Sequence, residues 1–347
     1  MSFSAAIPLS LSGEFAALGN KALEGVQLWK LYASSLSGCP VELTVEDDES
    51  SEQKAGEITE KFCADKTVDA VFGPYSSRLT LAAAKAARKS GKTLWNHGGA
   101  SDETDKYPNI ISAITPAGGY FAPAVEMISG GKSGRAVIVS AKGSGFSKAV
   151  TDGAEKLAAE AGIKVARVEY DRSEGAERVA GELKKTDSLL CAGRMEDDIA
   201  LAEKILSMSG KPDFLCFVAA GIDEFGAIFG EQAEGVHSVS QWEESAAPQE
   251  PDFGPSPAVF AGLFRKRYGH PPDYPAAQAF NIGLVVQKCA ASAGTTDDEL
   301  MRKAALELDF TTFYGRFKTD GHGKQIGHKT VVTLWRGGRR VVLNDGG

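Results

Sequence analysis

The 347-residue sequence lacks several things, and each absence closes off a class of function. It contains no run of about 18 or more apolar residues, so no segment reads as a membrane-crossing helix. It has no surplus of positive charge: 38 Lys plus Arg stand against 46 Asp plus Glu, a net charge of −8. A surface built to hold nucleic acid needs the opposite balance, so no nucleic-acid partner is expected. Histidine is scarce, and His97, His237, His270, His322 and His328 are scattered without metal-ligand spacing. His322 lies in Asp320-Gly321-His322-Gly323, a turn sequence that reads as solvated. None of the five cysteines (Cys39, Cys63, Cys191, Cys216, Cys289) forms Cys-x-x-Cys, which excludes thioredoxin-like and zinc-ribbon patterns. Cys191 and Cys216 sit in apolar, strand-like runs and read as buried thiols. Pairing of Cys39 with Cys63 is left open.

Catalytic signatures are also missing. Gly131-Lys132-Ser133 resembles the end of a phosphate loop, but Glu126 stands where the first glycine of that loop is needed. Gly143-Ser144-Gly145 opens like a dinucleotide loop, but Lys148 occupies the third glycine position, and a plain strand–helix turn is the better reading. No Gly-x-Ser-x-Gly elbow and no His-Glu-x-x-His occur. Glu46-Asp47-Asp48-Glu49 has oxygens that suit a hard cation, yet a solvated loop is favoured there. No nucleophile–base pair is evident. The expectation is a binding scaffold, with no catalytic residues, no cofactor and no metal.

What is present is a regular alternation. Apolar, β-rich runs occur at Phe3–Leu9, Val41–Val45, Ala70–Phe72, Thr93–Trp95, Ile110–Ile114, Ala136–Ser140, Val165–Tyr170, Ser188–Cys191, Phe214–Val218 and Gly235–Val239. Helical patterns fall between them: an Ala-rich run over Leu81–Arg88 closing at Gly91, Ser147–Ala161 before Gly162, and Asp197–Met208 before Gly210. Strand–helix alternation at this pitch implies βαβ units and parallel sheets. The length suits about two domains. A Pro-rich polar run, Glu243–Pro257, reads as a linker or crossing loop. Helical patterns over Ala258–Tyr268, Pro275–Ala291 and Asp297–Ala305 follow it. Lys329–Trp335 and Arg339–Leu343 around Gly337-Gly338 then form a hairpin signal. The first residues lack a basic n-region and an apolar h-region. They fit either a cytoplasmic chain or one whose leader has been replaced by a start Met.

Three segments carry a family resemblance. Ile7 to Gly19 (Ile-Pro-Leu-Ser-Leu-Ser-Gly-Glu-Phe-Ala-Ala-Leu-Gly) resembles the opening of the leucine/isoleucine/valine-binding proteins, type I solute-binding proteins of ABC importers. Phe72-Gly73-Pro74-Tyr75-Ser76-Ser77 resembles that family's Gly-Pro-x-x-Ser turn. Asp320 to Trp335, with Gly323-Lys324-Gln325, resembles its closing segment, and Gly230 to Val236 is similar as well. The resemblance implies an α/β fold of two Rossmann-like lobes with parallel sheets and a three-crossing hinge, the type I periplasmic binding protein fold. Crossings are expected near Pro116, Glu244 and Gln325. The lobes would be residues 1–117 plus 247–325, and 118–246 plus 326–347. A ligand would lie in the cleft at the carboxyl ends of the strands.

Carried over residue by residue, the resemblance implies a ligand site. Ser77 matches the serine that binds the ligand carboxylate, with a plain helix cap as the competing reading. Tyr75 in the same turn would cover the pocket. Gly98, Gly99, Ala100 and Ser101 match a loop that binds through backbone groups and a hydroxyl. His97 and Trp95 beside it are expected to pack. Leu18 replaces an aromatic lid residue, implying a differently shaped pocket. Phe146 would form a second-lobe wall, and Tyr120 is balanced between ligand contact and core packing. Arg194 stands where relatives place a tyrosine; it would pair with a second carboxylate, or else form a surface ion pair. Trp242 would stack on the ligand or pack the hinge. The acid that holds the ammonium of amino acid ligands is expected after Phe214–Val218, where this chain has Ala219-Ala220-Gly221-Ile222. The implied function is capture of a small organic solute (amino acid, carboxylate, aromatic acid or amide) for an ABC transporter membrane permease. The implied protein is a monomer, periplasmic or lipid-anchored outside the cell. A cytoplasmic ligand sensor of the same fold and a two-lobed enzyme are the rival readings.

Overall fold

A computed structural model describes residues 3–37, 40–131, 135–171 and 175–343. In chain order the elements are β1 (Phe3–Leu9), α1 (Ala16–Ser37), β2 (Val41–Asp47), α2 (Glu52–Ala64), β3 (Ala70–Phe72), α3 (Ser77–Lys89), β4 (Leu94–Asn96) and β5 (Ile110–Ser112). Then come α4 (Ala122–Ser129), β6 (Arg135–Ala141), α5 (Gly145–Glu160), β7 (Val165–Tyr170), α6 (Ala176–Glu182), β8 (Asp187–Ala192), α7 (Met195–Leu206), β9 (Phe214–Phe217), α8 (Asp223–Phe229) and β10 (His237–Ser240). The chain finishes with α9 (Pro257–Tyr268), α10 (Tyr274–Ala293), α11 (Asp298–Glu307), β11 (Asp309–Thr312), β12 (Gly315–Lys318), β13 (Val331–Arg336) and β14 (Arg339–Val342).

Local chemistry explains most of the boundaries. Ser51, Ser256, Asp273 and Asp297 cap α2, α9, α10 and α11, each accepting a first-turn N–H through its side chain. Pro257 and Pro275 occupy first-turn positions where no N–H is needed. Gly269 and Gly294 end α9 and α10 in the left-handed conformation.

The chain divides into two units, residues 1–116 with 247–328, and 117–246 with 329–347. In the first unit five parallel strands run in the order β2-β1-β3-β4-β5. The last five residues of β1 are all buried, as expected for a strand covered on both faces. Trp29 of α1 is wholly buried, lies 5.4 Å from the Phe72 ring, and donates its indole N–H to Gln287. Gly283 of α10 lies so close to that indole that a Cβ there would overlap it. The unit also holds a small antiparallel ribbon, β11-β12, whose sequence carried no hairpin signal. Here Arg316 grips Asp309 through two bonds of 2.7 Å, and the pair draws the Asp309 carboxyl below the usual range.

The second unit holds a seven-stranded sheet, β14-β13-β10-β9-β8-β6-β7. Its first five strands in the chain are parallel, and the β13–β14 hairpin joins antiparallel. β8 is buried along its whole length, as its unbroken apolar run requires. Phe217, Phe225 and Trp335 pack in the core on one side of this sheet. Cys191, Cys216, Cys63 and Cys289 are buried free thiols. Cys39 lies outside the described residues. The Glu46–Glu49 run is not a solvated loop throughout: Asp48 is wholly buried, accepting from the Ser10 hydroxyl at 2.6 Å and from Ser50 N at 2.9 Å. Among the described residues no group of three or more His, Cys, Asp and Glu could hold a metal ion.

Candidate functional site

Strand order locates the chemistry. In the first unit β1 lies between β2 and β3, so the connections after β1 and β3 leave toward opposite sides and open a gap at the carboxyl edge. In the second unit the same reversal falls between β6 and β8. Such switch points are where open α/β sheets bind ligands.

At the first switch point, β3 leads through Gly73-Pro74-Tyr75 to Ser76, whose φ of 93° turns the chain sharply into α3. Ser76, not Ser77, is the helix cap: its hydroxyl accepts from Leu79 N, and its own N–H donates to Gly98 O at 3.3 Å. Ser77 is therefore the first helical residue, and its hydroxyl oxygen accepts from Ser101 N at 3.0 Å. The loop after β4 is held by Asn96. Its carbonyl oxygen accepts from Gly98 N and Gly99 N at 3.1 and 2.8 Å, and its amide donates to Gly99 O and to the Ser112 hydroxyl. A Cβ on Gly98 would come within 2.7 Å of Pro74 O, and one on Gly99 would overlap Thr80, so backbone approach demands glycine at both. Ala100 and Ser101 are buried, and Ser101 caps the turn Asp102–Lys106 through Glu103 N. The result is a polar strip: the Ser77 and Ser101 hydroxyls beside the first turn of a 13-residue helix. That chemistry suits an anion.

Tyr75 shares a 2.8 Å hydrogen bond with the Tyr274 hydroxyl at the start of α10. Trp95 and His97 are wholly buried packing groups. Burial drives the His97 imidazole down to about 4, because the ring makes no well-formed hydrogen bond and the Gly73 backbone offsets the desolvation only in part. Leu18 is half-buried in the first turn of α1. Sequence reasoning missed Asn96, Thr80 and Tyr274. Tyr274 follows a recognisable helix start, Asp273-Tyr274-Pro275, but its partner lies 199 residues away in the chain.

At the second switch point Ser147 joins the two strands that diverge. Its hydroxyl accepts from Ala141 N at 2.9 Å and donates to Ala192 O. Ser144 caps α5, confirming Gly143-Ser144-Gly145 as a strand–helix turn. Phe146, half-buried, meets the buried Tyr120 edge-on with centroids 5.3 Å apart. Arg194 caps α7 and forms an ion pair with Asp197 at 3.3 Å, while its other nitrogen reaches Gly143 O at 3.4 Å. Trp242 follows β10 and is buried, its N–H donating to the Ser240 hydroxyl. After β9, Ala219, Ala220 and Gly221 are all buried. In place of an acid there, Asp198 approaches from α7: it accepts from Ala219 N at 3.1 Å and from the Cys191 thiol at 3.3 Å. It is wholly buried without a cation, and desolvation lifts its carboxyl to about 7.

A family model for periplasmic binding protein matches residues 4–339. The chain belongs to that family. It has the type I periplasmic binding protein fold, and membership carries a solute-binding, extracytoplasmic setting. Solved structures agree on the fold. A leucine-binding protein from Thermotoga maritima superposes with a TM-score of 0.82 at 18% identity, over 99% of this chain and 98% of the other. A solute-binding protein of an ABC transporter from R. palustris, in complex with benzoate, gives 0.80 at 20% identity over 99% and 96%. An amino acid ABC transporter substrate-binding protein from Pseudomonas fluorescens gives 0.83 at 21% identity over 99% and 95%.

Proposed function

We propose that this periplasmic binding protein captures a small organic acid and delivers it to an ABC transporter membrane permease, without transforming it. The observation that carries this reading is the strip formed by Ser77, Ser101 and the Gly98–Gly99 backbone at the mouth of α3. Hydroxyls and helix N–H groups recognise a carboxylate without supplying a nucleophile or a base. The relatives solved with benzoate and described as leucine- and amino acid-binding belong with such a site. The protein acts as a monomer, and Tyr75, Ala100 and Leu18 of the first unit stand beside the Ser77–Ser101 strip as further candidate contacts.

Mass spectrometry of the solute released from purified protein identifies the ligand class, and calorimetric titration with that solute measures the affinity. Ser77→Ala is expected to weaken binding about tenfold, the worth of one hydrogen bond to a charged group. Because Ser76 rather than Ser77 caps α3, the fold should survive. Unchanged affinity would show that the strip does not hold the solute, and conversion of the solute to product would overturn the transport reading.

A further inference from the structure

Asn96 ends β4 and is wholly buried. An amide side chain has two donor hydrogens and two acceptor lone pairs, and in an apolar interior each one left unmet is costly. Asn96 meets all four. Its oxygen accepts from Gly98 N at 3.1 Å and from Gly99 N at 2.8 Å. Its nitrogen donates to Gly99 O at 2.7 Å and to the Ser112 hydroxyl at 2.8 Å. Three of these bonds fold the residues after Asn96 into a tight turn, as asparagine side chains do by bonding the backbone just ahead of them. Gly99 O accepts only the nitrogen end of the amide, so the oxygen end faces the two glycine N–H groups. The fourth bond reaches the neighbouring strand β5, where Ser112 is itself buried and donates its N–H to Gly323 O at 2.9 Å.

The turn reaches the serine strip by two routes, both inside the first unit. On one, Gly98 O accepts from Ser76 N at 3.3 Å. Ser76 has φ 93° and ψ 146°, a conformation that a residue with a Cβ keeps only where its surroundings hold it. That residue is the cap that makes Ser77 the first residue of α3. On the other route, the chain leaves Gly99 through Ala100 to Ser101. Its N–H donates to the Ser77 hydroxyl at 3.0 Å, and its own hydroxyl accepts from Glu103 N at 3.3 Å. Each hydroxyl oxygen therefore already accepts a backbone N–H, which favours its hydrogen as a donor to a further acceptor. The Gly98 and Gly99 N–H groups face Asn96 instead, and they serve the loop rather than a solute.

We infer that Asn96, anchored on Ser112, is a positioning residue of this strip: it fixes the spacing of the Ser77 and Ser101 hydroxyls before a solute arrives and raises affinity without touching the solute. A preformed loop loses none of its affinity to being ordered on binding. The inference rests on the reading of the Ser77–Ser101 strip as a carboxylate site, and it adds the residues that set that site's geometry.

Ser112 is the handle for the test, because its removal frees the Asn96 amide and leaves both strip hydroxyls in the sequence. Benzoate, leucine and isocaproate are titrated by calorimetry into the full chain as wild type, Ser112→Ala, Ser77→Ala and the double variant. Backbone amide exchange is followed by NMR in the solute-free wild type and Ser112→Ala. Exchange at Gly98, Gly99 and Ser101 is expected to quicken about tenfold in Ser112→Ala, with the strands β1 and β3 unchanged. The tightest-binding probe should weaken about fivefold, the worth of one buried neutral hydrogen bond. In the double variant the loss should fall short of the product of the two single losses, because a displaced loop and a missing Ser77 hydroxyl break the same contact. Unchanged exchange at both glycines, unchanged affinity in Ser112→Ala, or losses that multiply in full overturn the inference, and binding that still depends on Ser77 then leaves the carboxylate site standing. Binding that ignores Ser77, or no binding of any probe, overturns the site reading and the inference with it.

Discussion

Replacing Asp198 with Asn is the sharpest probe of the second unit. Asp198 is fully buried, has hydrogen-bond donors but no cation, and its carboxyl is lifted from the ordinary 3.8 to about 7 by desolvation, with the neighbouring Asp197 charge adding to the effect. A raised folded-state value means that the fold binds the proton more tightly than the unfolded chain. The stabilisation is complete below about 3.8 and is lost as pH rises through about 7. A shift of roughly three units, at 1.36 kcal/mol each, makes the loss about 4 kcal/mol between pH 4 and 8. Most of it should fall between pH 5 and 7.5 as a slope approaching 1.4 kcal/mol per pH unit. Urea unfolding of wild type and variant followed by tryptophan fluorescence, at half-unit pH steps, measures that slope as the difference between the two profiles. The Asn variant keeps one acceptor oxygen but turns an amide toward Ala219 N or the Cys191 thiol, at a cost of about 1–3 kcal/mol at acid pH. It cannot ionise at this position, so its stability relative to the wild type should rise through the window and overtake it below neutrality. A stability difference between variant and wild type that does not change from pH 5 to 8 would refute the reasoning.

Other expectations follow from the same packing. His97, held down to about 4, favours the neutral ring in the fold, so its contribution is present above about 6.5 and lost as pH falls through 4, roughly 3 kcal/mol in all. His97→Leu should remove that acid limb in the same unfolding experiment, and an unchanged acid limb would contradict the burial argument. Gly283→Ala drives a methyl into the Trp29 indole and should cost about 2 kcal/mol, read as a lower urea midpoint with an unchanged slope. Arg194→Ala should change stability by less than about 1 kcal/mol, because its pair with Asp197 is half-exposed. In titrations it should weaken a dicarboxylate such as succinate more than a monocarboxylate, and equal losses would exclude a charge contact.

Arg194 shows how far the sequence alone reaches. Its place after a strand end was legible, and so was the choice between a ligand contact and an ion pair. Its pair with Asp197 was not legible, because only the turn into α7 brings that carboxylate back to the guanidinium. Ser77 shows the same limit: two adjacent serines before a helix look equally able to cap, and the left-handed bend at Ser76 makes it the cap and frees Ser77 for Ser101. The β11–β12 ribbon went unseen because Asp309–Lys318 has neither a Gly-rich turn pair nor clear alternation, and its register depends on Arg316 reaching Asp309.

The sequence by itself determined the alternation of strands and helices, the stop signals, the buried thiols and the family. These depend on residue periodicity and on caps within a few positions, which short-range sterics and hydrogen bonds settle. Strand order was decided only in three dimensions. It places Ser77 beside Ser101 at one switch point and lets Ser147 tie β6 to β8 at the other. The burial of Asp48 and Asp198 was decided there too. Asp48 lies in a run that reads as a solvated loop and Asp198 in the first turn of a helical pattern, and both lose water because chain segments 21 to 38 residues away close over them. Desolvation is set by everything that packs around a group, and a linear pattern records only its neighbours in the chain.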